Sequence, residues 1–190
     1  LPGSRKKEVE RILPPLVETA ALLKQKLPDA RFFLSQSPNL KPTIYDSLLK
    51  QDLVPIEKPA MDFQDLVTAM DFCFVTSGTA TLQTGLLGTP FFLVYKASWL
   101  TYELGRRLVK VNYLGMVNLL AKKPIVPEFI QHEMNPETMA HEAKLLLENK
   151  PLYDQMKLEF AEVRKLLGSG GASRRAAEAI LKRPADIRGT

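Results

Sequence analysis

Small hydroxyl-bearing residues form the strongest candidate site in this sequence. Residues 76–81 read Thr-Ser-Gly-Thr-Ala-Thr and stand between an apolar stretch and a helical pattern. Ligands of an open α/β sheet bind beyond the carboxyl ends of its strands, and the free N–H groups at a helix start favour anions. Gly78 would let a phosphate approach the backbone, while the hydroxyls of Ser77 and Thr79 donate to it. Ser and Thr are also common N-caps, so a capped helix is the alternative interpretation.

A second candidate anion site lies at the start of the chain, where Gly3, Ser4 and Arg5 open a helical pattern. The guanidinium of Arg5 could hold a phosphate through two hydrogen bonds, and a solvated terminal arginine is the alternative. Neither loop is a Walker motif or a three-glycine dinucleotide motif. The glycine-rich residues 168–171 follow no strand and are typical of a linker.

Nucleophilic and metal chemistry find little support in the sequence. The single cysteine, Cys73, falls in a predicted strand and is expected in the core. The two histidines, His132 and His141, fall on predicted helices, and no spacing of these residues would build a zinc site. We therefore expect no metal site, no disulfide framework and a reducing compartment.

The positive charge of the chain is concentrated in one segment. Lys plus Arg total 26 and Asp plus Glu total 21, but residues 96–123 alone carry 6 basic groups and 1 acidic group. At about 100° per residue, the leucines of residues 100–110 share one helix face. The opposite face carries Trp99, Tyr102, Arg106, Arg107 and Lys110. This face suits an anionic membrane surface, and a solvated face or burial against another domain is the alternative. The basic residues match no nucleic-acid-binding motif, so no nucleic acid is expected as a partner.

The elements that must position these residues alternate between short apolar runs and helical patterns. Strands are predicted at residues 31–35, 53–56, 71–75 and 91–95. A helix is predicted at residues 4–26, which Pro14 and Pro15 must kink or restart. Further helices are predicted at residues 44–50, 63–70, 79–87 and 100–110. This alternation predicts an α/β fold, a doubly wound Rossmann-like parallel sheet flanked by helices.

After Tyr113 the strand pattern fades, and helices are predicted at residues 127–133, 136–149, 152–167 and 174–182. We therefore divide the chain into a Rossmann-like domain, 1–133, and a helical C-terminal extension, 134–190. No apolar run approaches the length of a membrane span. The chain begins at Leu1 rather than Met, and we expect it to be part of a longer protein.

Five segments, in order and spacing, resemble the C-terminal half of the lipid-A-disaccharide synthase family. They are residues 1–5 (Leu-Pro-Gly-Ser-Arg), 77–82 (Ser-Gly-Thr-Ala-Thr-Leu), 104–110, 118–121 (Asn-Leu-Leu-Ala) and 127–131 (Pro-Glu-Phe-Ile-Gln). The resemblance implies a GT-B glycosyltransferase, in which two Rossmann-like domains face each other and the C-terminal one binds the nucleotide-sugar donor. That family joins UDP-2,3-diacylglucosamine to 2,3-diacylglucosamine 1-phosphate, releasing UDP and forming lipid A disaccharide 1-phosphate.

The resemblance also implies residue roles. Gly3, Ser4 and Arg5 would hold the donor diphosphate together with Ser77, Gly78 and Thr79. Gln83 would lie at the ribose, and Asn118, Gln131 and Glu128 are further candidates for the donor pocket. The UDP-sugar is a substrate, so no cofactor is implied, and positive groups with helix N-termini replace a metal at the leaving UDP.

The implied setting is the cytoplasm, with the protein peripheral on the inner membrane. The implied partners are the membrane surface, the lipid acceptor and an N-terminal acceptor domain, and a homodimer stays open. The catalytic residue is expected in that N-terminal half, so we predict that this chain alone does not turn over.

Two residues depart from the family pattern. Gln83 stands where the family has a glutamate, and Val117 stands where it has a proline. A glutamate would accept from both ribose hydroxyls with charge assistance, which an amide lacks. A weaker donor affinity is therefore expected.

Two other functions are compatible with these residues. A GT-B nucleotide-sugar 2-epimerase would keep the fold and change the reaction, since fold does not fix function. A non-catalytic module that binds a nucleotide-sugar or an anionic lipid would use the same loops or the basic helix face without chemistry.

Overall fold

Five short strands, all paired in parallel, form the framework of the part of the chain that the structure describes. The computed structural model describes residues 1–49, 53–98, 102, 112–168 and 171–181. Strands β1 (Phe32–Phe33) and β2 (Ile56–Glu57) form one sheet. Strands β3 (Cys73–Thr76), β4 (Phe91–Tyr95) and β5 (Glu128–Ile130) form a second sheet in that order. The α/β class with parallel pairing and flanking helices is confirmed, although the described strands form two sheets rather than one.

The register of the larger sheet brings its carboxyl ends to one edge. Cys73 lies opposite Phe91, and Thr76 lies opposite Val94. Leu93 lies opposite Glu128, and Tyr95 lies opposite Ile130. The first four residues of β4 are all buried, as expected for the central strand of a parallel sheet covered on both faces.

The described helices lie before, between and after the strands, most of them close to the predicted positions. They are α1 (Lys6–Lys26), α2 (Pro42–Asp46), α3 (Phe63–Thr68), α4 (Thr79–Leu87), α5 (Met116–Ala121), α6 (Pro136–Glu148), α7 (Lys150–Leu166) and α8 (Ala172–Leu181). A 3₁₀ turn spans Gln131–Glu133. The predicted helix at 100–110 lies outside the described residues except for Tyr102, whose N–H donates to the Ser98 carbonyl at 2.9 Å.

Helix α1 is continuous through Pro14 and Pro15, so the restart considered from the sequence does not occur. The two prolines remove the N–H groups that would bond the carbonyls of Glu10 and Arg11. Both of those residues are exposed, where water can bond the freed carbonyls. The opposite face is buried at three- and four-residue spacing, and this packing maintains the helix despite the lost bonds.

Among the described residues, the core consists of two clusters that share α1. The larger cluster joins β3, β4 and β5 to apolar residues of α6 and α7, and the rings of Phe91 and Phe160 stack at 5.6 Å. The smaller cluster joins α1 to Leu34, Tyr45 and Val54. Helices α6 and α7 thus pack into the core of the larger sheet, while the division at residue 133 stays a prediction.

The predicted helix at 127–133 is wrong, because this segment forms β5 followed by the 3₁₀ turn. The segment pairs with the free edge of β4. The N–H of Leu93 donates to the Pro127 carbonyl at 3.0 Å, and Phe129 is buried. The periodicity of a short apolar run does not distinguish a strand from a helix, and here pairing with β4 selects the strand.

Helix α5 was not predicted. Among the described residues, no helix is both long and apolar enough to cross a membrane.

Candidate functional site

The two predicted anion loops lie side by side at the carboxyl edge of the larger sheet. The Leu1 amino group donates to the Phe74 carbonyl at 3.0 Å, and the Thr76 N–H donates to the Leu1 carbonyl at 3.0 Å. This pairing lays the first residues of the chain along β3. A Cβ on Gly3 would come within 3.2 Å of Thr76 Cγ2 and 2.8 Å of Glu8 Oε2. Since Gly3 also has a φ of +114°, this position requires glycine.

The loop after β3 leaves the start of α4 open. Gly78 is the N-cap, with a φ of 150°, and it supplies no side chain to cap the helix. A Cβ at Gly78 would meet no atom within 4 Å, so backbone conformation rather than space favours glycine here. Ser77 is half-buried, whereas Gly78 and Thr79 are exposed. The capped-helix alternative is therefore not realised at the N-cap. The Thr81 N–H donates to the Gly78 carbonyl at 3.2 Å, which leaves the N–H groups of Thr79 and Ala80 available to an anion.

Arg5 stands at the start of α1 as its N-cap, next to the exposed Ser4. Its side chain is 81% exposed and pairs with Glu8, Nη1 to Oε1, at 2.9 Å. An exposed pair of this kind contributes only about 0–1 kcal/mol. Little free energy would therefore be lost if the Arg5 guanidinium left Glu8 to bind a phosphate.

The buried Asn118 and the half-buried Glu128 form a polar network between α5 and β5. The Asn118 amide donates to the Val126 carbonyl and to Glu128 Oε1, both at 2.8 Å. Its oxygen accepts from the N–H groups of Ile125 and Val126 at 2.8 and 3.0 Å. Asn118 is fully buried and all four of its hydrogen-bonding positions are used. The side chain of Asn118 therefore has no hydrogen-bonding position left for a ligand.

The Glu128 carboxylate holds the segment that leads into α5. It accepts from the N–H groups of Leu114 and Gly115 at 2.8 and 2.9 Å, in addition to the Asn118 amide. A Cβ at Gly115 would lie 2.9 Å from Leu93 Cδ1 and 3.1 Å from Glu128 Oε1, so glycine permits this close approach. The network joins β4, β5 and α5 into one rigid support.

Gln131 directly follows β5 in an unusual conformation. Its φ is 55°, which costs a residue other than glycine roughly 1–2 kcal/mol. The buried atoms Gln131 Nε2, Thr76 Oγ1 and Gln36 Nε2 have no hydrogen-bond partner within the described part of the chain. Each of these residues stands at or just after the carboxyl end of a strand. A buried donor left unpaired costs about 1–3 kcal/mol, so a ligand accepting from such a group would be favoured.

Of these unpaired groups, sequence reasoning named only Gln131 as a site residue. The sequence places Thr76 in the hydroxyl cluster but does not indicate that its side chain faces a ligand. Gln36 is not among the site residues predicted from the sequence. A signal for Gln36 does exist, since it stands in a Ser-Gln-Ser run shortly after a predicted strand. Gln83 is exposed one turn into α4.

The remaining titratable groups do not suggest nucleophilic chemistry. Burial raises the pKa of the Cys73 thiol to about 11, and the nearby Leu1 amino group opposes this only in part. The thiol is thus protonated at neutral pH. His132 and His141 are exposed. The described residues include no group of three or more His, Cys, Asp or Glu side chains that could hold a metal ion.

The predicted membrane-facing residues lie almost entirely outside the described chain. Trp99, Arg106, Arg107 and Lys110 fall outside it, and Tyr102 is half-buried. The structure therefore leaves the predicted membrane face untested.

Parallel strands connected by helices, with polar loops gathered at the carboxyl edge, define a Rossmann-like α/β protein. Residues 1–182 match the family model described as lipid-A-disaccharide synthetase. The chain belongs to this family, whose members are glycosyltransferases of lipid A biosynthesis.

Individual relatives agree with this assignment. The lipid-A-disaccharide synthase of Anaeromyxobacter dehalogenans is 39% identical over 183 residues, which cover 95% of this chain and 48% of the relative. Those of Persephonella marina and Trichlorobacter lovleyi are 36% and 39% identical, again over 95% of this chain and over 48% and 47% of the relatives. The chain spans about half the length of these curated relatives.

Proposed function

We propose that this chain is the donor-binding half of a glycosyltransferase of lipid A biosynthesis. The complete enzyme would transfer 2,3-diacylglucosamine from UDP to 2,3-diacylglucosamine 1-phosphate and form lipid A disaccharide 1-phosphate. One observation carries the proposal: the Gly3 loop and the Gly78 loop are neighbours at the carboxyl edge, beside a helix start that has no side-chain cap. That is where parallel α/β sheets bind phosphate groups.

In this proposal the chain stabilises UDP as a leaving group. Negative charge grows on the diphosphate as the bond between the sugar and UDP breaks. The N–H dipoles at the start of α4 are already oriented and stabilise this charge without rearrangement. Arg5 adds a positive charge by exchanging Glu8 for the diphosphate. The unpaired Gln131 amide and Thr76 hydroxyl support a polar ligand at the same edge. Gln83 is our candidate for the ribose.

The acceptor and the catalytic group would belong to a separate N-terminal domain, so the chain alone binds donor without turnover. The UDP-sugar is a substrate, and the proposal includes no cofactor or metal.

Calorimetric titration with UDP and with UDP-GlcNAc tests the donor site. We expect saturable binding of both nucleotides that is unchanged by EDTA, and no heat at millimolar UDP would refute the donor site. Conversion of UDP-GlcNAc into its 2-epimer would instead favour the epimerase alternative.

Arg5→Ala separates a diphosphate contact from a solvated arginine. We expect it to weaken UDP binding by ~1.5–3 kcal/mol, or about 10- to 150-fold, if the guanidinium contacts the diphosphate. Arg11→Ala is the matched control, since Arg11 is an exposed arginine further along α1. If both variants bind UDP with equal affinity, the Arg5 side chain is solvated and does not contact the diphosphate.

We further propose that the enzyme is peripheral on an anionic membrane surface, at the cytoplasmic face of the inner membrane. The supporting observation is the sequence face of two aromatic and three basic residues between Trp99 and Lys110. Sedimentation with liposomes should show binding that requires anionic lipid and weakens with salt. Binding that ignores salt would count against this role.

A further inference from the structure

A negatively charged side chain lies inside the proposed anion site. Residues 4–8 lead into α1 and include three exposed cations, Arg5, Lys6 and Lys7. Glu8 is the charged residue of this segment that is turned inward, because its side chain is 23% exposed against 81% for Arg5. A site for an anion is expected to direct its cations at the ligand and its carboxylates at solvent. Here the arrangement is reversed.

Two contacts place the Glu8 carboxylate where the two loops meet. Glu8 Oε1 accepts a hydrogen bond from Arg5 Nη1 at 2.9 Å. Glu8 Oε2 lies against the backbone of Gly3, where a Cβ atom would be 2.8 Å from it and 3.2 Å from Thr76 Cγ2. Gly3 belongs to the first loop, and Thr76 leads into the second. We call the place formed by Gly3, Thr76 and Glu8 the loop junction.

The loop junction offers hydrogen-bond donors that the carboxylate does not use. Thr76 is buried, and its hydroxyl has no partner within the described residues. A guanidinium has five N–H donors, and the printed sequence places Arg5 directly beside the junction. A phosphate group has three acceptor oxygens and can use more of these donors than a carboxylate can. Glu8 therefore satisfies part of the junction and leaves the rest to a larger anion.

We propose that Glu8 is a resident anion of the donor site, which occupies Arg5 while the site is empty and is displaced when the diphosphate binds. The inference rests on the proposed donor-binding function and concerns the regulation of that same site. In the empty site the carboxylate neutralises Arg5. When the diphosphate binds, Arg5 turns from Glu8 to a phosphate oxygen, and Glu8 remains nearby as a like charge.

The charge of Glu8 weakens the binding of donor and of UDP alike. Binding breaks the Arg5–Glu8 pair and brings the diphosphate within a few ångströms of the carboxylate. Both effects are electrostatic, and both favour the departure of UDP, because Glu8 pairs with Arg5 again as the diphosphate leaves. Glu8 thus exchanges part of the affinity for release of the product.

Two other roles for Glu8 predict different results. A glutamate in the first turn stabilises a helix start through the helix dipole, which requires no effect on a ligand. A glutamate that orients Arg5 for the diphosphate would strengthen binding. The geometry favours displacement, because Glu8 Oε2 occupies the space against Gly3 through which a phosphate would approach the backbone.

Glu8→Gln in the 190-residue chain tests the proposal. This change removes the charge and keeps the size and a hydrogen-bonding side chain at the third position of α1, where glutamine is also favoured. Glu10→Gln is the matched control, since Glu10 is exposed on the same helix and pairs with Lys6 at 3.7 Å. Calorimetric titration with UDP at two salt concentrations gives the dissociation constants of the wild type and both variants.

We expect Glu8→Gln to bind UDP about 3- to 20-fold more tightly than the wild type, and Glu10→Gln to change the affinity by less than about twofold. The gain should shrink as salt is added, because it is electrostatic. Unchanged or weaker binding by Glu8→Gln, or a gain that ignores salt, would overturn the proposal and leave the donor site in place. If none of the three proteins binds UDP, the donor site itself is refuted, together with the role of Glu8 that rests on it.

Discussion

Replacing Glu128 by alanine removes the acceptor of three hydrogen-bond donors at once. These donors are the N–H groups of Leu114 and Gly115 and the amide of Asn118, at 2.8 to 2.9 Å. A buried donor without a partner costs about 1–3 kcal/mol. Because Glu128 is only half-buried, water can replace part of what is lost. We therefore expect Glu128→Ala to lower the free energy of unfolding by about 2–4 kcal/mol.

Urea unfolding followed by circular dichroism measures this loss. With a denaturant slope of about 1–3 kcal/mol/M, the midpoint should fall by roughly 1 M or more. Glu128→Gln should give an intermediate loss, because one oxygen remains for Gly115 and Asn118 while its amide opposes the Leu114 N–H.

Glu133→Ala is the matched control for this experiment. Glu133 lies on the adjacent 3₁₀ turn, is exposed, and accepts one long bond from the Ile130 N–H at 3.2 Å. We expect it to cost less than about 1 kcal/mol. If Glu128→Ala costs no more than Glu133→Ala, the Asn118–Glu128 network does not support the fold and the argument is refuted.

Three further predictions concern the core and the Leu1 amino group. In the native chain Cys73 should react with a maleimide far more slowly than in urea at pH 8, because the thiol is buried with a pKa of about 11; equal rates would contradict its burial. Gly85→Ala should lower the free energy of unfolding by about 1–3 kcal/mol, since its Cβ would lie 3.0 Å from Val117 Cγ2. In a double-mutant cycle Val117→Ala should relieve that clash, and strict additivity would count against it. With a free amino group at Leu1, the free energy of unfolding should rise by about 2 kcal/mol from pH 6 to pH 8. The folded pKa of about 6 lies below the ordinary 8.0, so the unfolded chain binds the extra proton in this range. Acetylation of that group should remove the rise in the urea midpoint, and an unchanged rise would assign it to other groups.

Elements with strong local patterns could be predicted from the sequence. β4 is a continuous apolar run bounded by Pro90 and a polar segment, and the structure gives the predicted residues 91–95. Helix α4 is likewise found at the predicted residues, between Gly78 and a left-handed Gly88. In both cases composition and the bounding glycine or proline determine the element without help from distant residues.

Other features depend on contacts between distant parts of the chain. β5 forms because β4 offers an edge to residues 128–130, which no local pattern reveals. The role of Asn118 follows from the carboxylate of Glu128 and the 125–126 turn, so a resemblance could suggest a pocket residue but not its saturated hydrogen bonding. The conformation of Gln131 is imposed by the turn after β5. The Ser-Gln-Ser run marks Gln36 as a polar residue after a strand, but that its amide is buried and unpaired follows only from the assembled core.

The contact between Gly3 and Thr76 also determines when the candidate site can form during folding. The two loops are more than seventy residues apart in the chain, and they meet only through the pairing of Leu1 with β3. Such non-local parallel contacts carry a large loop-closure entropy and form slowly. A nucleotide that binds only the assembled loops, as we propose for UDP, should therefore stabilise the folded domain by mass action.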